Sequence, residues 1–164
     1  MDAARRRFLR GRFRDPLPQR PPWAVAAEAF EQRCTRCSAC IEACPTRLIQ
    51  PGEGGYPRVD FSHAECTFCA DCVQACTPGA LVRADDAPPW SLKARIGEGC
   101  LSARGIECRI CGEACDAAAI RFRPTPGGVS RPTLNDDQCT GCGACVAPCP
   151  VDAVRVANPM ESER

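Results

Sequence analysis

Histidine and lysine are almost missing from this chain. Among its 164 residues there is one histidine, His63, and one lysine, Lys93, and aromatic residues make up only 5%. A single imidazole with no nucleophile–base pairing in view argues against hydrolytic catalysis. No run of 18 apolar residues occurs, so no segment is built to span a membrane as a helix. A chain this short, with so few aromatic side chains, buries a modest apolar core. Something other than a large core must therefore hold it together. The scarcity of lysine among 21 basic residues is what a GC-rich genome produces, and carries little chemistry.

What the chain has in abundance is cysteine, 16 of 164 residues. That is a scaffold or metal-binding level rather than core filler. The cysteines fall into four groups: Cys34, Cys37, Cys40 and Cys44; Cys66, Cys69, Cys72 and Cys76; Cys100, Cys108, Cys111 and Cys115; and Cys139, Cys142, Cys145 and Cys149. Groups one, two and four read C-x2-C-x2-C-x3-C, the bacterial ferredoxin run for [4Fe–4S] clusters. Group three reads C-x7-C-x2-C-x3-C. First cysteines lie 32, 34 and 39 residues apart and last cysteines 32, 39 and 34. Both 39-residue steps involve group three, and removing its five extra residues turns each into 34. The chain is thus an internal repeat of four units, with Cys100 as the first ligand of the third. Sixteen thiols supply four ligands for each of four clusters.

The spacing has a physical reason. Three thiolates two residues apart lie on a tight loop that wraps one cluster and can aim amides at its sulfurs. The fourth cysteine turns away, and in two-cluster ferredoxins it ligates the other cluster. Crossed ligation follows as an expectation: Cys34, Cys37 and Cys40 with Cys76; Cys66, Cys69 and Cys72 with Cys44; Cys100, Cys108 and Cys111 with Cys149; Cys139, Cys142 and Cys145 with Cys115. Pairing groups two and three instead stays open. Small residues in the loops (Ser38, Ala39, Ala70, Gly141, Gly143, Ala144) let the backbone approach an inorganic core. Group three, with its longer first loop, is expected to clamp more loosely. Four near-identical short-spaced runs make a poor disulfide framework. Zinc usually takes two separated C-x2-C knuckles rather than three cysteines within seven residues. No group is short of a ligand, so no iron is left open for substrate chemistry.

Between the loops the pattern is strand-like. Leu48-Ile49 and Val59–Phe61 flank a glycine-rich turn, and Ala119–Phe122 and Val129–Leu134 flank Gly127-Gly128, so each pair reads as a short hairpin. Ala80–Val82 and Val154–Val156 are the matching edge strands. The fold class is α+β: two tandem bacterial 2[4Fe–4S] ferredoxin-like modules, mostly loop, with short hairpins and short helices. The expected divisions are an arginine-rich arm at 1–27, a first module at 28–84, a linker at 85–93 and a second module at 94–160. Cluster binding should supply much of the folding free energy. His63 reads as a surface turn residue, and Trp23 and Trp90 as covers for cluster edges or the module boundary.

Charge is near balance overall, at +1, but uneven. Residues 1–20 hold seven arginines against Asp2 and Asp15, so the remainder is net acidic and bound clusters would make it more so. Arg5-Arg6-Arg7-Phe8-Leu9-Arg10 resembles a twin-arginine export motif. The apolar stretch such a signal needs does not follow; Gly11-Arg12-Phe13-Arg14-Asp15-Pro16 does. The reading is no export and a cytoplasmic protein. The arm could dock on an acidic partner surface through its charge and the anchors Phe8, Leu9 and Phe13.

Taken together, the R-R-x-F-L-x-G-R-F start, Pro21–Trp23, Cys34-Thr35-Arg36-Cys37, Gly54-Gly55-Tyr56-Pro57, the long third group ending in Ala119–Pro124, and Gly141-Cys142-Gly143-Ala144-Cys145 resemble the NapF family. These are ferredoxin-type accessory proteins of the periplasmic nitrate reductase system. The resemblance covers essentially the whole chain. Group two departs from the commonest run in having Thr77 before Pro78, a one-residue shift that leaves the ligands in place. The resemblance implies a non-enzymatic cytoplasmic iron–sulfur protein. Its implied partner is the precursor of the nitrate reductase catalytic subunit, and its implied role is maturation of that precursor, chiefly of its [4Fe–4S] centre, before export. An electron-transfer polyferredoxin is the alternative.

Overall fold

The computed structural model describes residues 19–84, 87–126 and 128–159. The arginine-rich arm through residue 18, with the docking role read for it, and Asp85 and Asp86 of the expected linker lie outside them. The architecture is two α+β modules, mostly loop, with three two-stranded antiparallel sheets and four short α-helices among the described residues.

In the first module, helix α1 (Ala27–Arg33) precedes the first cysteine. Its sequence AEAFEQR is rich in strong helix formers, with Glu28 in the first turn and Arg33 in the last to suit the helix dipole. It buries Phe30 and ends where Cys34 turns extended. Single-turn helices α2 (Ala39–Glu42) and α3 (Asp71–Gln74) carry the third cysteines of groups one and two. Strands β1 (Ile49–Pro51) and β2 (Pro57–Val59) form the first hairpin, Ile49 opposite Val59. Ala24 bridges Leu81, so the segment entering the module pairs with the segment leaving it.

The second module repeats this plan. Strand β3 (Lys93–Ile96) pairs with β6 (Val154–Ala157), the entering strand against the leaving one. Between them lie α4 (Ile110–Glu113) and the hairpin of β4 (Ile120–Thr125) and β5 (Gly128–Leu134). The register slips between Arg123 and Thr125, around Pro124, which has no N–H to give the ladder. Both hairpins stand where the strand-like runs around glycine-rich turns put them. Strand β3 lies outside the expected strands, and its first residue, Lys93, falls in the expected linker.

Among the described residues the core is small and in three parts. One is in the first module (Phe30, Ile49, Cys72, Ala80, Leu81) and one in the second (Ala94, Cys111, Ala119, Ile120, Cys139, Cys145, Val154). Cysteines are members of both, as a chain short of aromatics requires. The third part joins the modules: Leu48, Val59 and Phe61 of the first pack with Leu92 and Val156 of the second. Polar contacts reinforce this seam. The Gln19 carbonyl accepts from the Val59 N–H at 2.8 Å, while its side-chain amide donates to the Val156 carbonyl at 2.6 Å. Residues 19–26, which fall within the expected arm, are packed into the body, with Pro22 and Trp23 buried. Among the described residues no helix is long and apolar enough to cross a membrane.

Candidate metal-cluster sites

The fold gathers the sixteen cysteines into four quartets. Cys34, Cys37, Cys40 and Cys76 line one cavity, site I. Cys66, Cys69, Cys72 and Cys44 line a second, site II. Cys139, Cys142, Cys145 and Cys115 line another, site IV. Site III is Cys111 with Cys100, Cys108 and Cys149 close around it. In each quartet three cysteines come from one unit and the fourth crosses from its partner within the module. Units one and two pair, and units three and four. Pairing of groups two and three is not what the geometry gives.

A repeated backbone conformation builds the loops. In groups one, two and four, the second residue after the first cysteine and the first after the second cysteine are left-handed: Arg36 and Ser38, Phe68 and Ala70, Gly141 and Gly143. A left-handed non-glycine residue costs about 1–2 kcal/mol, and such strain persists where the surroundings over-determine it. The first position thus accepts arginine and phenylalanine as well as glycine, so an inorganic core does not by itself demand smallness there. Gly141 and Gly143 have a second reason to be glycine. A Cβ on Gly141 would strike the Leu92 carbonyl, and one on Gly143 would enter the Phe61 ring. Those glycines make room for the seam.

A second repeated turn follows every fourth cysteine. The residue three positions on is left-handed in all four units: Arg47, Gly79, Ala118 and Asp152. That turn aims a backbone N–H back at the sulfur. Leu81 N–H donates to Cys76 Sγ at 3.4 Å, Ala119 to Cys115 at 3.3 Å and Ala153 to Cys149 at 3.2 Å. In the first unit the Ile49 and Leu48 N–H groups serve Cys44. Ala94 of β3 adds an N–H to Cys139 Sγ at 3.3 Å. Four residue types share this turn, so no motif betrays it.

Electrostatics fits a cationic centre. Burial, with neighbouring thiolates adding to it, pushes the Cys40, Cys66 and Cys111 thiols up to about 11 and Cys72 and Cys145 up to about 12. Four crowded thiols resist ionising together unless a metal centre supplies positive charge. Exposed Cys37 goes the other way, lowered by the Ala39 N–H and the Thr35 hydroxyl. At Cys44 burial is the largest single influence and pushes upward. Hydrogen bonds from the Ile49 N–H and the Thr46 side chain, with further backbone N–H groups, outweigh it. Among the described residues no three His, Cys, Asp or Glu side chains close on a point as one ion requires. Four cysteines ring each of the cavities at sites I, II and IV, a donor set that fits a polynuclear centre.

Trp23 lines site II, and its buried indole N–H has no protein acceptor. Trp90 stands at the seam, its Nε1 donating to the Thr140 carbonyl at 3.0 Å, edge-on to Phe61 and Phe68. His63 is exposed in a bend. The five-residue insertion of group three is anchored rather than loose. It forms a 3-10 turn over Ser102–Arg104. The buried Ser102 hydroxyl donates to the Ser130 carbonyl of β5, and Arg109 donates to Ser130 Oγ at 3.1 Å. Sequence reasoning missed these anchors because a serine in a loop gives no sign of burial.

Two regions each match a family model described as a 4Fe-4S dicluster domain, residues 33–81 matching one model and residues 105–153 another. The second begins beyond Cys100, which the fold nonetheless brings to Cys108, Cys111 and Cys149. The chain is 46% identical over 155 residues to ferredoxin-type protein NapF of Escherichia coli (strain K12), covering 94% of each. It is 44% identical over 170 residues to ferredoxin-type protein NapF of Haemophilus influenzae, covering 97% of this chain and 96% of that one. A more distant relative is ferredoxin-type protein NapG of Haemophilus influenzae, 32% identical over 87% of this chain and 59% of its own length. With two dicluster domains, four cysteine quartets and likeness along nearly its whole length, the chain belongs to the NapF family of ferredoxin-type iron–sulfur proteins.

Proposed function

We propose that the chain is a non-enzymatic cytoplasmic iron–sulfur accessory protein holding four [4Fe–4S] clusters, one per quartet. Its sixteen ligands are Cys34, Cys37, Cys40 and Cys76; Cys44, Cys66, Cys69 and Cys72; Cys100, Cys108, Cys111 and Cys149; and Cys115, Cys139, Cys142 and Cys145. It binds the precursor of the periplasmic nitrate reductase catalytic subunit and assists maturation of that precursor's [4Fe–4S] centre before export. The observation carrying this reading is the likeness to NapF proteins along nearly the whole chain. No quartet is short of a thiol, so substrate chemistry at an open iron is not part of the role.

The arginine-rich arm is the docking element, and its target is an acidic surface on the precursor. Residues 1–18 can be removed without touching Gln19 or Arg20. Arg20 pairs with Glu31 at 3.2 Å and lies 4.8 Å over the Phe30 ring. The experiment is a pull-down of the precursor by anaerobic full-length protein and by a chain beginning at residue 19. Both should hold about 16 iron, and the shortened chain should capture much less precursor. Equal capture sinks the docking role, and no capture by either sinks the maturation role. The second reading, an electron-transfer polyferredoxin, is favoured by the direct contact between the ligand loops of sites II and IV. Reduction of the mature enzyme at turnover rates by the purified protein would move the conclusion to it.

A further inference from the structure

The two modules could have been tethered with their cluster sites apart. The seam instead joins one ligand loop of each. The Cys66 N–H, on the first ligand of site II, donates to the carbonyl of Cys142, a ligand of site IV, at 2.8 Å. Around this bond Phe61 fills the place of the missing Gly143 side chain. Trp90 stands edge-on to Phe61 at 5.8 Å and to Phe68 at 5.9 Å. Phe68 lies in the site II loop, and the Thr140 carbonyl that Trp90 binds lies in the site IV loop. Sites I and II share one core through Cys40, Cys44, Cys72 and Cys76. Sites III and IV share another through Cys111, Cys115, Cys139, Cys145 and Cys149.

We infer that the four sites form one row in the order I–II–IV–III, with the Cys66–Cys142 backbone contact as its central link and Phe61 and Trp90 as the residues that hold the link closed. The row does not follow chain order, since site III, between II and IV in sequence, is its far end. This rests on the four-cluster reading. In such a row one electron leaving the centre at site II reduces the centre at site IV, with no bond broken. The end at site I has the exposed ligand Cys37, and Cys69 of the inner site II is exposed as well. The end at site III is flanked by the exposed side chains of Ile106, Ile110 and Val151.

The test removes the outer sites and asks whether the inner two still sense each other. Cys37→Ala with Cys108→Ala should leave about 8 iron per chain. Reduced with dithionite, this variant should give a broadened low-temperature EPR spectrum from two interacting spins. Adding Trp90→Ala and Phe61→Ala should narrow it while iron content holds. Two unperturbed, separate signals in the seam-intact variant overturn the row. The iron content of the unmodified chain is measured alongside. A value well below about 16 counts against the four-cluster reading, whereas about 16 with isolated inner spins counts against the row alone. Should the outer-site variant fail to hold iron, amide exchange on the intact protein decides. The peptide containing Cys66 should be protected and should open at least about tenfold on Trp90→Ala, with residues 119–123 unchanged. Rapid exchange at Cys66 in the unmodified protein overturns the row.

Discussion

Replacing Gly143 by alanine tests the seam with a single methyl group. Gly143 sits at φ +87, and a Cβ there would overlap the Phe61 ring. The left-handed backbone costs an alanine about 1–2 kcal/mol. Phe61 is only 8% exposed and is held against Trp90, so it cannot swing clear. Forcing a methyl into such packing costs about 1–3 kcal/mol more. The sum, about 2–5 kcal/mol, corresponds to roughly thirtyfold or more in rate. Metal drawn off by a chelator does not return, so the measurable quantity is a rate. Bleaching of cluster absorbance under chelator and mild denaturant, in anaerobic buffer, supplies it. Gly143→Ala should accelerate loss about thirtyfold or more, and Phe61→Ala should remove the steric share of that effect. The control is Ala70→Gly at the equivalent position of the first module, where alanine already occupies φ 66. Relief of the left-handed backbone there is offset by about 0.5–1 kcal/mol of glycine entropy, so the change should be small. Equal penalties for Gly143→Ala with and without the Phe61 ring would refute the reasoning, because the ring would not then be what the glycine makes room for.

Three further outcomes can be checked. Ser102→Ala leaves the buried Ser130 carbonyl without its donor, a loss of about 1–3 kcal/mol; under chelator the site III cluster should go first, with iron passing through a plateau near 12 per chain. In the unmodified protein the first module should bleach before the second, in two phases each of about half the iron, because Cys37 and Cys69 are exposed while no cysteine of the second module is; a single phase would count against exposure as the control. The Ser62 hydroxyl and N–H, then Arg58, hold the Asp60 carboxyl below the ordinary range. A carboxylate lowered by folding stabilises above its unfolded value and loses that contribution as pH falls through the folded one. Asp60→Asn should therefore speed amide exchange in residues 49–59 at pH 7 and matter less below about pH 4.

The cysteine runs made most of the candidate site legible, because an iron–sulfur cluster needs thiolates in a fixed rhythm and the rhythm survives in one dimension. Both hairpins were legible for a similar reason: strand-like runs on either side of a glycine-rich turn are a local property. Strand β3 was not, since Lys93–Ile96 pairs with Val154–Ala157, some sixty residues away, and only that partner makes it a strand. The left-handed turn after each fourth cysteine was hidden because Arg47, Gly79, Ala118 and Asp152 share a conformation and no chemistry. The insertion of group three looked loose by length alone. Its firmness comes from Ser130, on a strand that follows it.

The sequence by itself determined how many thiols there are, how they are grouped and how the groups repeat, because ligand spacing is set by the chemistry of the centre it serves. Tertiary structure decided which thiol crosses to which quartet, since crossing depends on two units folding face to face. It also decided that the two modules meet through Cys66 and Cys142, a contact between backbone groups that every residue carries and that no choice of side chain announces.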